Sequence, residues 1–524
     1  MAHRDLFGIV LENREDFPLN FVEFPGVDNI RKVREGRRLL IEGRDIGLLD
    51  SYRKNVGTVH QCQMPWIVGL GVNGGRPHTT PDGRTLWQFI SDEVGPLTGD
   101  NYKEWVGASV EAVLGILPEY IQGNHTMKVI AEQGDLLNLC GGVMVARAGY
   151  NPVHALLLML TGIGSTGNTY NSLGIDTADF AGRAKKMYMP KDSGGDFVAN
   201  PDEYVLLFRN TGGEATFLAM QVAKEVTGKS ERVGYEGSYH GRFEYVDIAY
   251  FEHVIRFPDL LTGVSEDDSI NQLKEVLSRH GDRIGTLIME GVQGGACYLP
   301  GDLEDDTHFY DAVRHLCDEH GVIFVMDLVQ VNGITGSWNP VQEAGAEKGA
   351  HVYALGKGYS EAYPLSGVLL PKVFADKLQV GGWTSTHSMH WQGPTVGMGI
   401  FLVNDYLKKE FGKDLMEYSR PNAEYFNLKL DEVAEKYDGE HGAAIQHQGM
   451  EHGFMHSLRF SDTDYADRFV EELTKIGCYV FDTIKRANYS TVKLFPPLLS
   501  TQEGLDEALF CIDYSLQEAG KGIS

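Results

Sequence analysis

Three segments of this 524-residue sequence carry groups whose type and surroundings could do chemistry. Gly212 and Gly213 lie between an apolar run and a predicted helix, where bare N–H groups and the helix dipole favour a phosphate. Asp327 ends the apolar run Val322–Asp327, where a carboxylate needs a cationic or hydrogen-bonding partner. Lys357 lies between two glycines, and a desolvated lysine there can lose its proton and attack an aldehyde. Together they indicate a phosphate cradle, a paired carboxylate and a nucleophilic amine.

Each of these segments also has a simpler interpretation. A glycine-rich helix start can be only a turn, a loop aspartate can cap the residues that follow it, and most lysines are merely solvated. All three segments, however, follow predicted strands. In a parallel sheet the carboxyl ends of the strands meet at one edge, where ligands bind. The combination therefore favours a common site over three separate structural features.

Short apolar runs alternate with helical patterns from residue 200 onward, which predicts an α/β fold whose mostly parallel central sheet is buried on both faces. The predicted strands are Glu203–Arg209, Arg232–Glu236, Ile284–Glu290, Val322–Asp327, His351–Gly356 and Leu365–Leu370. The predicted helices between them are Gly213–Val226 and Thr307–Glu319. This part of the chain forms the predicted large domain, residues 151–410.

The pattern changes after about residue 411, where helices and short strands predict a smaller α+β domain, residues 411–524. Its predicted elements are the helices Asn422–Tyr437, Ala466–Ile476 and Thr501–Gln517, the strand Gly453–Phe460 and two further short strands. Residues 1–150 form an N-terminal segment with two predicted strands, Arg38–Ile41 and Leu136–Cys140.

The composition excludes several classes of function. The 73 acidic and 46 basic residues give a net charge of −27, and such a surface repels the phosphates of nucleic acids and anionic membranes. No apolar run approaches the roughly 18 residues of a membrane span, and the N-terminus lacks the apolar region of a signal peptide. The six cysteines include no CxxC pair, which favours reduced thiols over disulfides or a zinc site. We expect a cytoplasmic protein that binds no nucleic acid, membrane or metal.

Five stretches of the sequence, in order, resemble the class III aminotransferases, which are pyridoxal-phosphate (PLP) enzymes of fold type I. They are LLFRNTGGEATFLAMQVAKEVTGKSERVGYEGSYHGRF, IMEGVQGGACYLPGD, VIFVMDLVQVNGITG, ALGKGYSEAYPLSGVLL and VKLFPPLLSTQEGLDEAL. They are similar to the family's Ser-Gly-Thr-Glu-Ala helix and aromatic-His-Gly turn, its Glu-Pro-Val-Gln-Gly and Asp-Glu-Val-Gln strands, its lysine segment and its Pro-Pro-Leu ending. The similarity extends over most of residues 136–518.

The resemblance implies a role for each matched residue. Lys357 would form the Schiff base with PLP and then move the proton, Asp327 would pair with the protonated pyridine nitrogen, and Glu290 would be the active-site glutamate. The other implied cofactor contacts are Thr211, Gly212 and Gly213 at the phosphate, Tyr239 and Val329 on the two ring faces, His240 in the turn and Gln330 at the phenolic oxygen. Tyr239 and Val329 have an alternative role as plain core packing.

Two of the departures from the family pattern bear on the binding of the cofactor phosphate and of the substrate. The phosphate-binding threonine, which a partner subunit donates, corresponds to Met389, whose thioether cannot donate a hydrogen bond, so Thr386 or Ser388 would substitute. The arginine that grips the substrate carboxylate corresponds to Lys493, which is a point charge rather than a fork. Lys493 therefore either binds the substrate or extends from the predicted strand Thr491–Phe495 to solvent.

The glycine-rich motif also lies later in the chain than in ordinary members, which implies an insertion at about residues 56–130. The sequence as a whole predicts a homodimeric PLP-dependent aminotransferase that moves an amino group between an amine or amino acid and a keto acid or aldehyde. An aminomutase, racemase or decarboxylase could use the same scaffold, and so could a non-catalytic binding module. The presence of Lys357, Asp327 and Gln330 together favours an enzyme.

Overall fold

The structure is a computed structural model that describes most of the chain from residue 90 to residue 521. The residues in this range that it does not describe are 94, 96–101, 132–133, 142–145, 150, 164–176, 192–194, 260, 342–344, 362, 380–381, 386, 389, 391, 441, 482 and 486–488. The predicted strand Arg38–Ile41 and residues 56–89 of the predicted insertion therefore lie outside the described residues. Among the residues that are described, no helix is long and apolar enough to cross a membrane.

The described part of the chain contains strands that group into three sheets. In chain order they are β1 (Lys128–Ala131), β2 (Gly134–Asn138), β3 (Tyr204–Arg209), β4 (Glu231–Tyr235), β5 (His253–Ile255), β6 (Ile284–Glu290), β7 (Ile323–Asp327), β8 (Val352–Leu355), β9 (Ser366–Pro371), β10 (Ile445–Gly449), β11 (His456–Phe460), β12 (Cys478–Tyr479), β13 (Ile484–Lys485) and β14 (Ser490–Leu494).

The α-helices of the same part surround these sheets. They are α1 (Tyr102–Gln122), α2 (Pro152–Ile163), α3 (Thr177–Tyr188), α4 (Gly212–Thr227), α5 (Glu266–His280), α6 (Phe309–His320), α7 (Lys372–Ala375), α8 (Gln392–Phe411), α9 (Leu415–Tyr437), α10 (Thr463–Lys475) and α11 (Gln502–Gly520). The helix α1 lies within the second half of the predicted insertion.

The central sheet has seven strands in the order β3-β9-β8-β7-β6-β4-β5. Strands β5, β4, β6, β7 and β8 are parallel to one another, and β9 is antiparallel to both β8 and β3. The prediction of a mostly parallel α/β sheet is confirmed. The carboxyl ends of β6, β7 and β8 consequently lie side by side at one edge.

Both faces of this sheet are buried, and the apolar runs of the strands show why. In β6, Leu287 and Met289 join one core cluster, whereas Ile288 joins a second cluster with residues of α4. Adjacent side chains of a strand point to opposite faces, so a strand with helices on both faces must be apolar at nearly every position. All seven residues of β6 are buried accordingly.

The C-terminal region forms a small α+β unit around the antiparallel sheet β10-β11-β14-β13. The helix α9 begins seven residues before the predicted Asn422, because the side chain of Asp414 forms a capping box with Glu417 at its start. Three short strands follow α10 where the sequence predicts two. One of them, β12, pairs in parallel with β2, so the predicted N-terminal segment is joined by a sheet to the C-terminal region.

Candidate active site

Two carboxylates and a lysine meet at the edge where β6, β7 and β8 end. Glu290, the last residue of β6, is the Cα partner of Asp327, the last residue of β7, and Asp327 is in turn the partner of Ala354 in β8. Lys357 follows β8 by two residues. The parallel register therefore brings together three side chains that the sequence separates by up to 67 positions (357 − 290).

Lys357 is held in an unusual backbone conformation. Its φ is 49°, in the left-handed region that a residue with a Cβ rarely adopts, and it starts a short 3₁₀ turn that ends at Tyr359. Burial, with the charge of Lys493 adding to it, lowers the pKa of Lys357 to about 8. A substantial fraction of this amine is consequently neutral near physiological pH, as a nucleophile requires.

Asp327 is almost completely buried, with 3% of its surface exposed. Its Oδ2 accepts a hydrogen bond from Nδ1 of His240 over 2.7 Å, and its Oδ1 accepts one from the backbone N–H of Val329 over 2.9 Å. Both interpretations of this residue from the sequence therefore apply: its side chain caps the loop that follows, and it also has a hydrogen-bonding partner. These contacts fix the orientation of the carboxylate and leave it lone pairs for a further donor.

Glu290, Gln330 and Lys493 form a chain of buried hydrogen bonds. Gln330 donates from Nε2 to Oε1 of Glu290 over 2.9 Å, and Lys493 donates from Nζ to Oε1 of Gln330 over 3.3 Å. The backbone N–H of Tyr239 donates to Oε2 of Glu290 over 3.1 Å. Burial, reinforced by the Asp327 carboxylate, raises the pKa of Glu290 above its usual range.

The alternative in which Lys493 extends to solvent is wrong, because only 6% of the residue is exposed. Its ammonium lies 5.6 Å from the ring centre of Phe481 and 5.8 Å from that of Phe495. Lys493 is the Cα partner of Ser457, whose Oγ donates to the carbonyl of Ala296. This face of the small sheet therefore packs against the loop after β6, and Lys493 consequently points into the site.

The start of α4 has the form of an anion site. Thr211 is the N-cap, its Oγ1 accepts from the N–H of Glu214, and Glu214 accepts from the N–H groups of Asn210 and Thr211. This capping box does not involve the N–H groups of Gly212 and Gly213, which lie at the positive end of the helix dipole. The glycine-rich stretch is therefore the start of a helix and not only a turn.

The glycines here also permit a close approach of backbones. A Cβ on Gly212 would lie 2.5 Å from Cγ1 of Val329, and a Cβ on Gly356 would lie 3.2 Å from the same atom. Val329 is therefore wedged between the start of α4 and the residue before Lys357. Tyr239, by contrast, is 46% exposed, so plain core packing does not account for it.

The segment predicted to reach a partner subunit is described only in part. Thr386 and Met389 lie outside the described residues. Ser388 is buried, and its Oγ donates to the carbonyl of Ser385 over 2.9 Å and accepts from the N–H of the same residue. Ser388 lines a cavity of about 260 Å³ with apolar side chains that include Leu206 and Trp383. Its hydroxyl thus has partners within its own chain.

Sequence reasoning missed two groups of contacts. The contact of His240 with Asp327 joins residues 87 positions apart, and the sequence contained only its aromatic-His-Gly turn as a signal. A buried ion pair between Arg147 and Glu361 spans 214 positions. The sequence held no signal for it, because a charged residue in an unassigned segment reads as solvated.

Comparison with known proteins decides the family. A family model described as aminotransferase class III matches residues 184–516, which is more than half of the chain. The chain belongs to the class III aminotransferases. An acetylornithine aminotransferase of Bacillus anthracis is 26% identical over 405 residues, covering 75% of this chain and 93% of the relative. A 5-aminovalerate aminotransferase (DavT) of Pseudomonas putida is 26% identical over 356 residues, covering 63% of this chain and 78% of the relative.

Solved structures show the same fold. A taurine:2-oxoglutarate aminotransferase from Bifidobacterium kashiwanohense, solved with PLP and glutamate, aligns with a TM-score of 0.62 at 17% identity over 76% of this chain and 92% of that chain. An acetylornithine aminotransferase from Elizabethkingia anophelis aligns with a TM-score of 0.58 at 20% identity over 75% and 92% of the two chains. This class III aminotransferase is a PLP-dependent transaminase of fold type I, as the sequence predicts.

The side chains of the site fit PLP. The N–H groups of Gly212 and Gly213 suit a phosphate, the carboxylate of Asp327 suits a protonated ring nitrogen, and the amine of Lys357 suits an aldehyde. Each group is held by its own neighbours, through the cap of α4, the contact with His240 and the strained turn after β8. The chemistry of the donor set thus agrees with the cofactor that the family uses.

Proposed function

We propose that the residues at the ends of β6, β7 and β8 hold PLP and carry out the amino transfer. The observation that carries this proposal is the register that makes Glu290 and Asp327 neighbours and puts Lys357 next to them. When bound, PLP supplies an electron sink for the negative charge that develops at the substrate carbon. In this assignment Thr211, Gly212 and Gly213 bind the phosphate and Tyr239 and Val329 cover the two faces of the ring.

In the proposed mechanism Lys357 moves the proton. Its Nζ, with a pKa of about 8, can accept a proton from the substrate carbon and return it to the cofactor carbon. Asp327 keeps the ring nitrogen protonated through a charge-assisted hydrogen bond, and His240 prevents its carboxylate from turning away. Gln330 has a second N–H on its amide beyond the one given to Glu290, and this N–H is available to the phenolic oxygen.

We propose that Lys493 binds the substrate carboxylate as a single point charge. Its ammonium is buried beside Gln330, Phe481 and Phe495, which supports a role inside the site. A lysine cannot form the two parallel hydrogen bonds of an arginine fork, so it holds an α-carboxylate less firmly. The wild-type enzyme should therefore accept amino compounds without an α-carboxylate at least as well as alanine or glutamate.

Lys493→Arg should raise kcat/KM for simple α-amino acids by roughly tenfold, because the fork restores bidentate binding. The measurement is half-reaction spectroscopy, in which the loss of the PLP–lysine absorption band is followed with a panel of amines and amino acids. Lys485→Arg, on the neighbouring strand but exposed and paired with Asp467, is the matched control and should change nothing. No change for any donor in Lys493→Arg would contradict the role. An efficient wild-type reaction with glutamate that Lys493→Ala abolishes would refute the altered specificity.

We further propose a cytoplasmic homodimer in which the segment 384–394 of each subunit completes the phosphate site of the other. Because the hydroxyl of Ser388 is bonded to Ser385, Thr386 is the better candidate for the donated hydroxyl. Sedimentation at low micromolar concentration should give twice the chain mass of 58.1 kDa. Thr386→Val should loosen PLP, whereas Met389→Thr should be tolerated or tighten it. A fully active monomer would rule out the shared site.

A further inference from the structure

The short turn that carries Lys357 is strained at both of its ends. Lys357 has a φ of 49° and Glu361, four residues later, has a φ of 50°. Glycine adopts this left-handed region readily, but a residue with a Cβ does so only where its surroundings hold it there. The turn therefore depends on contacts made from outside it.

Glu361 is held by a buried guanidinium. Nε of Arg147 lies 2.8 Å from Oε1 of Glu361, and each side chain is only 1% exposed. The backbone N–H of Ala148 donates to Oε2 of Glu361 over 3.1 Å. Both carboxylate oxygens are thus bound, by Arg147 and by the residue that follows it.

The same guanidinium is linked to the start and the middle of the turn through Asn332 and Tyr188. Nη1 of Arg147 donates to the carbonyl of Asn332 over 2.7 Å, and Nδ2 of Asn332 donates to the carbonyl of Gly356 over 2.7 Å. Nη2 donates to the hydroxyl of Tyr188, whose ring packs 5.5 Å from that of Tyr359 in the turn. Arg147 thus contacts the turn directly at its end, and it is linked to the start of the turn through Asn332 and to the middle through Tyr188.

We propose that the buried Arg147–Glu361 pair is a clamp that sets the backbone of the Lys357 turn and so directs the amine of Lys357 toward the carboxylates of Asp327 and Glu290. The inference rests on the role proposed above for Lys357. Arg147 and Glu361 act through the turn, so they are positioning residues. The clamp joins a loop that precedes α2 to the loop after β8, two parts of the chain that no sheet connects among the described residues.

Removing either partner should release the turn. Burial raises the pKa of Glu361 to about 7, and the charge of Arg147 opposes this rise. Without the guanidinium, Glu361 should therefore take up a proton and lose its attraction for the loop. The left-handed conformation at Glu361 would then keep only the hydrogen bond from the N–H of Ala148, and the turn would relax with Lys357 on it.

The test measures how fast PLP-free protein captures PLP covalently, with borohydride trapping and peptide mapping to locate the product. Arg147→Met should lower the capture rate constant by roughly tenfold or more, because a small displacement of a reacting group is costly. Arg147→Lys, which keeps the charge but loses the fork, should give an intermediate rate and serves if the methionine variant does not fold. Arg147→Met combined with Glu361→Gly should recover most of the rate, because glycine adopts a φ of 50° unaided.

The matched control is Arg459→Met. Arg459 forms a similarly buried pair with Asp259, over 2.9 and 2.7 Å, and makes no hydrogen bond or ion pair with the described residues of the Lys357 turn. Arg459→Met should lower the melting temperature but leave the capture rate within about twofold of wild type. Equal slowing in Arg459→Met, or a wild-type rate in Arg147→Met and Arg147→Lys, would overturn the clamp. If borohydride trapping in the wild-type protein labelled another lysine, the result would instead refute the role of Lys357.

Discussion

Lys357→Ala should still bind PLP but lose turnover by roughly 10³-fold or more, since one substitution removes both the covalent attachment and the proton carrier. The phosphate site at α4 and the carboxylate of Asp327 remain in this variant, so PLP should be retained without a covalent bond. The measurements are the steady-state rate, the PLP content after gel filtration, and the absorption band of bound PLP. That band should shift to the position of the free aldehyde.

Borohydride reduction of the wild-type enzyme should place the pyridoxyl group on the peptide that contains Lys357. Because burial and the charge of Lys493 lower the pKa of Lys357 to about 8, capture of PLP should increase with pH and level off above this value. Lys372→Ala, an exposed lysine at the start of α7, is the control and should label like the wild type. A label on any lysine other than Lys357, or a fully active Lys357→Ala, would show that the assignment is wrong.

Asp327→Asn should slow the amino-donor half-reaction by roughly 10²–10³-fold, because the amide keeps the shape of the side chain but cannot stabilise a protonated ring nitrogen. Loss of a charge-assisted hydrogen bond should also weaken PLP binding by about 1.5–3 kcal/mol. The single-turnover rate with an amino donor reports the first effect, and equilibrium titration of PLP into the cofactor-free protein reports the second.

The buried contacts of Asp327 mean that this substitution removes a hydrogen bond as well as the charge. Nδ1 of His240 and the N–H of Val329 bind different oxygens of Asp327, and asparagine has only one oxygen. It can therefore keep one of these two hydrogen bonds, so some loss of stability is expected as well. Asp405→Asn, which removes an exposed carboxylate paired with Arg183, is the control for the change of charge. A half-reaction close to the wild-type rate in Asp327→Asn would argue against the role of Asp327.

The core strands were predictable because they are buried on both faces. The sequences of strands β6 and β7 are nearly continuous apolar runs, and the structure moves their bounds by at most one residue from the predicted Ile284–Glu290 and Val322–Asp327. The small domain was less predictable. Its strands are short and only partly apolar, so the strand predicted at Gly453–Phe460 begins at His456, and three short strands follow α10. Short polar strands acquire their pairing from neighbours that a local pattern does not contain.

The sequence by itself determined the family and the fold, and it predicted Lys357, Asp327, Glu290 and the glycine pair as site residues. Lys357, Asp327 and the glycine pair were accessible because each follows an apolar strand and because parallel strands end at a common edge. Glu290 was implied by the resemblance to the family. The cofactor followed from the resemblance of five stretches of the sequence to the class III aminotransferases. Nothing in these inferences required knowledge of which distant residues are in contact.

Only the tertiary structure decided which way Lys493 points and what holds the Lys357 turn. Alternation along a strand tells that Lys493 and its neighbours face opposite sides, but not which side of the small sheet meets the large domain. Arg147 and Glu361 are 214 residues apart, and their pairing depends on how a loop before α2 packs against the loop after β8. Burial and pairing of charges are properties of the packed chain, because desolvation arises only when distant segments exclude water together.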